Sequence, residues 1–132
     1  MSAREWPVDD PAALPELAAF FAGTPIGAAT LGWTCGVVSG LGPATLRLTS
    51  SQVTLRRRIG FAWLWLPGRW LDHPDAEVVL SIGGRTRLAS ARFKDVVEAY
   101  PGRWMHHLEI HAPAQLDDEV AGWLAGAYDA AG

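Results

Sequence analysis

The chain reads as an α+β domain with a mostly antiparallel sheet. It is expected to have two N-terminal helices, about five strands in one sheet, and a C-terminal helix packed on that sheet. Three observations predict this. Two segments with helix-start signals open the chain. A middle stretch alternates or runs apolar between Gly and Pro breaks. A final segment repeats apolar residues at helical spacing.

The first helix is expected from near Asp10, where Asp can cap and Pro11 suits the first turn. Leu14, Leu17, Ala18 and Phe21 then make an apolar face, and Gly23 ends it. Thr24 and Pro25 repeat the start signal. From Ile26 to Leu41 the pattern predicts a second helix, with Ile26, Thr30, Trp33, Val37 and Leu41 near one face. Glycines dilute that signal, since each costs about 1 kcal/mol relative to alanine in a helix. Gly42 and Pro43 close the element.

Strands are expected next. Ala44 to Thr49 alternates with Leu46 and Leu48 on one face, and Val53, Leu55 and Arg57 alternate with Thr54, Arg56 and Arg58. Ile59 to Leu66 is apolar at every position, as in a central strand covered on both sides. Pro67 and Gly68 break it. Glu77 to Ile82 predicts another strand, closed by Gly83 and Gly84. Ala91 to Ala99 fits a strand or a helical turn equally. Arg103 to His111 predicts a strand with Trp104, His106, Leu108 and Ile110 on one face. The last helix shows Leu116, Val120, Trp123, Leu124, Ala127 and Tyr128 in phase. Asp117, Asp118 and Glu119 crowd its first turn, where the helix dipole favours negative charge.

Length and composition set the class. With 132 residues, 49% of them hydrophobic and 19% charged, the chain suits one domain with a real core. Residues 1–9 are expected as a flexible N-terminus, 10–42 as a helical lead-in and 43–132 as sheet plus helix. No apolar run approaches the roughly 18 residues of a membrane span. Met1 to Asp10 is polar and acidic, which predicts a cytoplasmic protein. The one cysteine, Cys35, sits among Trp33, Gly36, Val37 and Val38 and reads as a packing residue.

Charge is unevenly spread. Residues 47–103 carry ten basic and five acidic side chains, and the rest of the chain carries one basic and nine acidic. The centre therefore stands at +5 and the ends at −8. The favoured reading is internal pairing of a basic sheet with acidic helices; the other is an anion-binding face. Arg56 and Arg58 are the candidate anion-binding residues. Arg56, Arg57 and Arg58 alternate in direction along a strand, so they do not form one patch.

The candidates for chemistry are aromatic and imidazole groups. His107, Glu109 and His111 share a strand face, but His107 and His111 lie roughly 13 Å apart, too far for one metal ion. No metal site and no cofactor are predicted. His106 shares its face with Trp104, Leu108 and Ile110 and reads as a core histidine bonded to a backbone carbonyl. Seven tryptophans are many for this length. Trp63 and Trp65 share one strand face and, with Trp123, read as a helix-on-sheet core. No phosphate-cradling loop, nucleophile elbow, CxxC pair or HExxH motif occurs.

Phe61-Ala62-Trp63 after the arginine run, the block from Arg103 to Ile110, and Leu116 to Val120 with Trp123-Leu124 and Ala127-Tyr128 resemble the bacterial domain of unknown function 5655 family. The resemblance covers roughly residues 42–132. It implies a compact helix-and-sheet module and transfers no catalytic residue. Fusion of some members to nuclease-like domains implies nucleic-acid company.

The expectation is a non-catalytic binding module. Its ligand, an unidentified small molecule or protein, would lie between sheet and N-terminal helices, lined by Trp33, Trp63, Trp65, Trp104 and His106. A nucleic-acid accessory domain and a small enzyme using His106 as acid or base are the alternatives, and a homodimer is allowed. No membrane partner is expected.

Overall fold

The computed structural model describes residues 4–9, 15–69 and 75–132. Among these the chain forms β1 (Arg4–Pro7), α1 (Pro15–Phe20), α2 (Pro25–Leu41), β2 (Thr45–Leu48), β3 (Gln52–Arg56), β4 (Gly60–Trp65), β5 (Val78–Gly84), β6 (Asp95–Tyr100), β7 (Arg103–Ile110) and α3 (Asp118–Ala130). The seven described strands make one sheet in the order β1-β2-β3-β4-β5-β7-β6. Every neighbouring pair is antiparallel. The α+β class is as expected, but the sheet is wider than about five strands.

The two extra strands have identifiable causes. Arg4–Pro7, expected as part of a flexible terminus, pairs with β2 as an edge strand. Asp95–Tyr100, the ambiguous segment, becomes the other edge by forming a hairpin with β7. Gly83 and Gly84 lie inside β5 rather than closing it. The expected helix start at Asp10 and Pro11 falls outside the described residues.

Cross-strand register sorts the sheet into two faces. Leu46, Leu55, Ala62, Ile82 and His106 stand opposite one another in one row, and Val53, Leu64, Leu80 and Leu108 in the next. All are buried, and α2 and α3 pack over them. Phe61 joins this face through a β-bulge. Arg56 pairs with Gly60 and Leu55 with Ala62, so Phe61 has no partner of its own on β3. Its ring meets Tyr128 of α3 edge-on at 5.6 Å.

Helix α2 buries Gly27, Thr30, Leu31, Thr34, Cys35 and Val38. Of the expected face, Thr30 is buried, Ile26, Trp33 and Val37 lie half-buried against the core, and only Leu41 is exposed, so the buried ridge is centred to one side of that face. Nearly every side of this segment is apolar, so periodicity could not choose. The sheet took the ridge of small and branched side chains, which packs closest. Thr24 does not cap the helix; its hydroxyl donates to the Phe21 carbonyl at 2.7 Å. The cap comes from Glu77, whose carboxylate accepts from the N–H groups of Ile26 and Gly27 at 2.6 and 3.0 Å.

Helix α3 follows its sequence signals. Asp117 caps it by accepting from the Val120 N–H at 3.2 Å, with Asp118 and Glu119 in the first turn. Basic residues from the centre of the chain hold both ends. Arg92 binds Asp117 and Glu119 at 3.0 and 2.9 Å. Arg57 donates to the Tyr128 carbonyl at 2.8 Å with its guanidinium 4.1 Å above the Tyr128 ring. Part of the basic centre thus pairs with the acidic ends, Arg92 at α3 and Arg56 beside Glu5, in the sense of the favoured charge reading. No helix among the described residues is long and apolar enough to cross a membrane.

Candidate functional site

The other face of the sheet carries no helix among the described residues. Strand alternation places Arg47, Thr54, Trp63, Ser81, His107 and Asp95 there in one row. Trp65, Val79 and Glu109 lie beyond the row on one side, and Gly60, Gly83, Met105 and Val97 on the other. A solvated sheet face is ordinarily polar. This one carries two tryptophans, two valines and a methionine.

Trp63 is the centre of the face. A Cβ built at Gly60 would lie 3.0 Å from the Trp63 ring, and one at Gly83 would lie 3.3 Å from it. The indole therefore rests on two glycines of its own and the next strand, a seat that alanine at either position would crowd. Beside it opens a hollow of about 510 Å³. Trp104, Tyr100, Met105 and Ile59 give this hollow apolar walls, and Gln52 and Arg103 add polar ends.

A second hollow, of about 290 Å³, lies on the other side of the row, with Trp65, His107, Asp95, Lys94 and Glu109 around it. The Ser81 hydroxyl and His107 Nδ1 share a hydrogen bond of 2.6 Å. Burial holds the His107 imidazole below its ordinary range, against an upward pull from Asp95 and with a small further push down from His106. Ser81, His107 and Asp95 stand opposite one another on three adjacent strands, an order suggestive of a nucleophile triad. Ser81 is 1% exposed, so its hydroxyl is withdrawn from solvent and holds the His107 ring. Lys94 bridges Glu109 at 3.2 Å and Asp75 at 3.7 Å across the rim.

The expected pocket residues separate. Trp63 and Trp104 line the larger hollow and Trp65 the smaller one, all three on hollows that the N-terminal helices do not reach. Trp63 and Trp65 are not core residues: alternation turns them away from the buried Leu64, and Trp123 packs on Phe93 at 4.5 Å instead. Trp33 sits half-buried on α2 against the helix-side core. His106 is fully buried there too, its Nδ1 donating to the Ile82 carbonyl at 2.8 Å and its Nε2 accepting from the Leu88 N–H at 3.0 Å. The five therefore do not converge, because β4 presents its tryptophans to one face while β7 presents His106 to the other.

The arginines also separate. Arg56 lies 4.0 Å from Glu5, while Arg58 is exposed in the β3–β4 turn. Cys35 is 1% exposed, and burial pushes its thiol up to about 12, which leaves it a packing group. Among the described residues no three metal-ligating side chains converge.

A family model described as a domain of unknown function, DUF5655, matches residues 36–131. The chain belongs to that family. No curated protein and no solved structure matches it. The span matched to DUF5655 begins inside α2 and includes every residue named around both hollows. Sequence reasoning missed Ser81, Gly60, Gly83 and Arg103. The one signal available was the placement of glycines at strand positions that alternation could have matched to Trp63.

Proposed function

We propose that this DUF5655 chain is a non-catalytic binding module whose ligand lies on the helix-free face of its sheet. The supporting observation is Trp63, seated on Gly60 and Gly83 beside an apolar hollow of about 510 Å³. A sheet gains little stability from a half-exposed indole, whereas a flat aromatic floor beside polar ends is how small-molecule sites are built. Two features weigh against the enzyme reading. Both ring nitrogens of His106 are bonded to backbone, and the Ser81 hydroxyl is withdrawn from solvent. The nucleic-acid reading keeps Arg58, exposed in the β3–β4 turn, but loses most of its basic run. Arg57 and Arg92 hold α3, and Arg56 faces Glu5.

Amide-resolved NMR with a set of single- and fused-ring aromatic fragments tests the proposal. Shifts are expected at the Trp63 indole N–H and at the amides of Gly60, Gly83 and Met105. No shift at millimolar fragment, or shifts confined to α2 and α3, would sink it.

A further inference from the structure

The larger hollow has a sign of charge as well as a shape. Its polar ends are Arg103, half-buried at the start of β7, and Gln52, at the start of β3. Among the described residues neither side chain has a hydrogen bond or an ion pair to the protein. This sets Arg103 apart from Arg56, Arg57 and Arg92, each of which faces a protein oxygen. The β6–β7 hairpin has its own carboxylate, Glu98, but that group accepts from the Gly102 N–H at 3.1 Å. Among the described residues no acidic side chain lines the hollow.

A guanidinium that is partly withdrawn from water and unpaired keeps its fork of donors for something else. Around it stand the flat Trp63, Trp104 and the exposed Tyr100. Resting on the reading that this face binds a ligand, we propose that the larger hollow takes a planar aromatic anion. Its ring lies on Trp63, its carboxylate, sulfonate or phosphate oxygens meet the Arg103 guanidinium, and the Gln52 amide meets a further polar atom. The second hollow differs in kind, since Asp75, Asp95 and Glu109 outnumber Lys94 there and would repel the same ligand.

The test uses three probes of one ring system: naphthalene-2-carboxylate, naphthalene-2-methanol and 2-naphthylmethylammonium. Dissociation constants come from the Trp63 indole N–H shift. The carboxylate is expected to bind at least about tenfold more tightly than the alcohol, as a charge-assisted hydrogen bond supplies, and the ammonium most weakly. Arg103→Gln should weaken the carboxylate at least about tenfold and the alcohol far less, closing the gap between them, with amide spectra elsewhere reporting an intact fold. Three equal affinities would overturn the anion assignment while leaving the binding face standing. An anion preference that survives Arg103→Gln would overturn the role of Arg103. Binding by none of the three would overturn the binding face itself.

Discussion

His106 and His107 are neighbours in sequence and opposites in environment. Alternation along β7 sends His106 into the core, where two backbone groups occupy its ring nitrogens, and His107 to the open face, where Ser81 holds Nδ1 alone. Burial without a closely paired carboxylate disfavours the imidazolium of His107, so its folded pKa lies below the ordinary value of 6.5. The sign follows from linkage. The unfolded chain takes up this proton first, so the contribution is complete above about pH 6.5. It is lost as pH falls from there towards the folded pKa, below which the loss levels off. Two measurements check this. The His107 Cε1–H resonance should titrate with a midpoint below 6.5, and His107→Gln should flatten the fall in urea-unfolding stability just below that pH. A midpoint at or above 6.5 would contradict the burial assigned to this ring.

Caps show how elements depend on distant residues. Helix α3 carries its own start signal, and Asp117 does locally what its position predicts. Helix α2 has a start signal of the same kind in Thr24-Pro25, yet Thr24 turns back to Phe21 and Glu77 caps the helix from 51 and 50 positions beyond the donors it bonds. A charged acceptor on two N–H groups beats a hydroxyl that reaches neither. Glu77→Ala should therefore destabilise the protein by about 1–2 kcal/mol, and Thr24→Ala should cost less. Equal losses in chemical denaturation would show that Thr24 shares the cap. Arg57 and Arg92 make the same point at α3, since basic residues far away in sequence hold both of its ends.

Among the described residues the sheet has one face covered by helices and one face without them, and β4 is where the two meet. Leu64 is fully buried under the helices, while Trp63 lies on the open face. These adjacent residues should respond differently to the same change. Leu64→Ala is expected to cost about 2–5 kcal/mol in unfolding free energy through the cavity it leaves. Trp63→Ala should cost clearly less stability and abolish fragment binding. If thermal and urea denaturation showed equal losses at both sites, the face assigned as open would be covered.

Much of this was legible in advance. Apolar spacing and Asp117 located α3, the Pro and Gly breaks bounded β4 and β7, and the lone Cys35 among apolar neighbours read correctly as buried. The sequence by itself determined the α+β class and the closing helix, because these rest on local periodicity. Only the tertiary structure decided which sheet face the helices cover, because alternation fixes that Trp63 and Leu64 diverge without saying which of them meets the core. It likewise decided the seat of Trp63 on Gly60 and Gly83, the bond between Ser81 and His107, and the unpaired state of Arg103. Each depends on strands brought side by side, and their register is set by long-range packing rather than by any residue's neighbours in the chain.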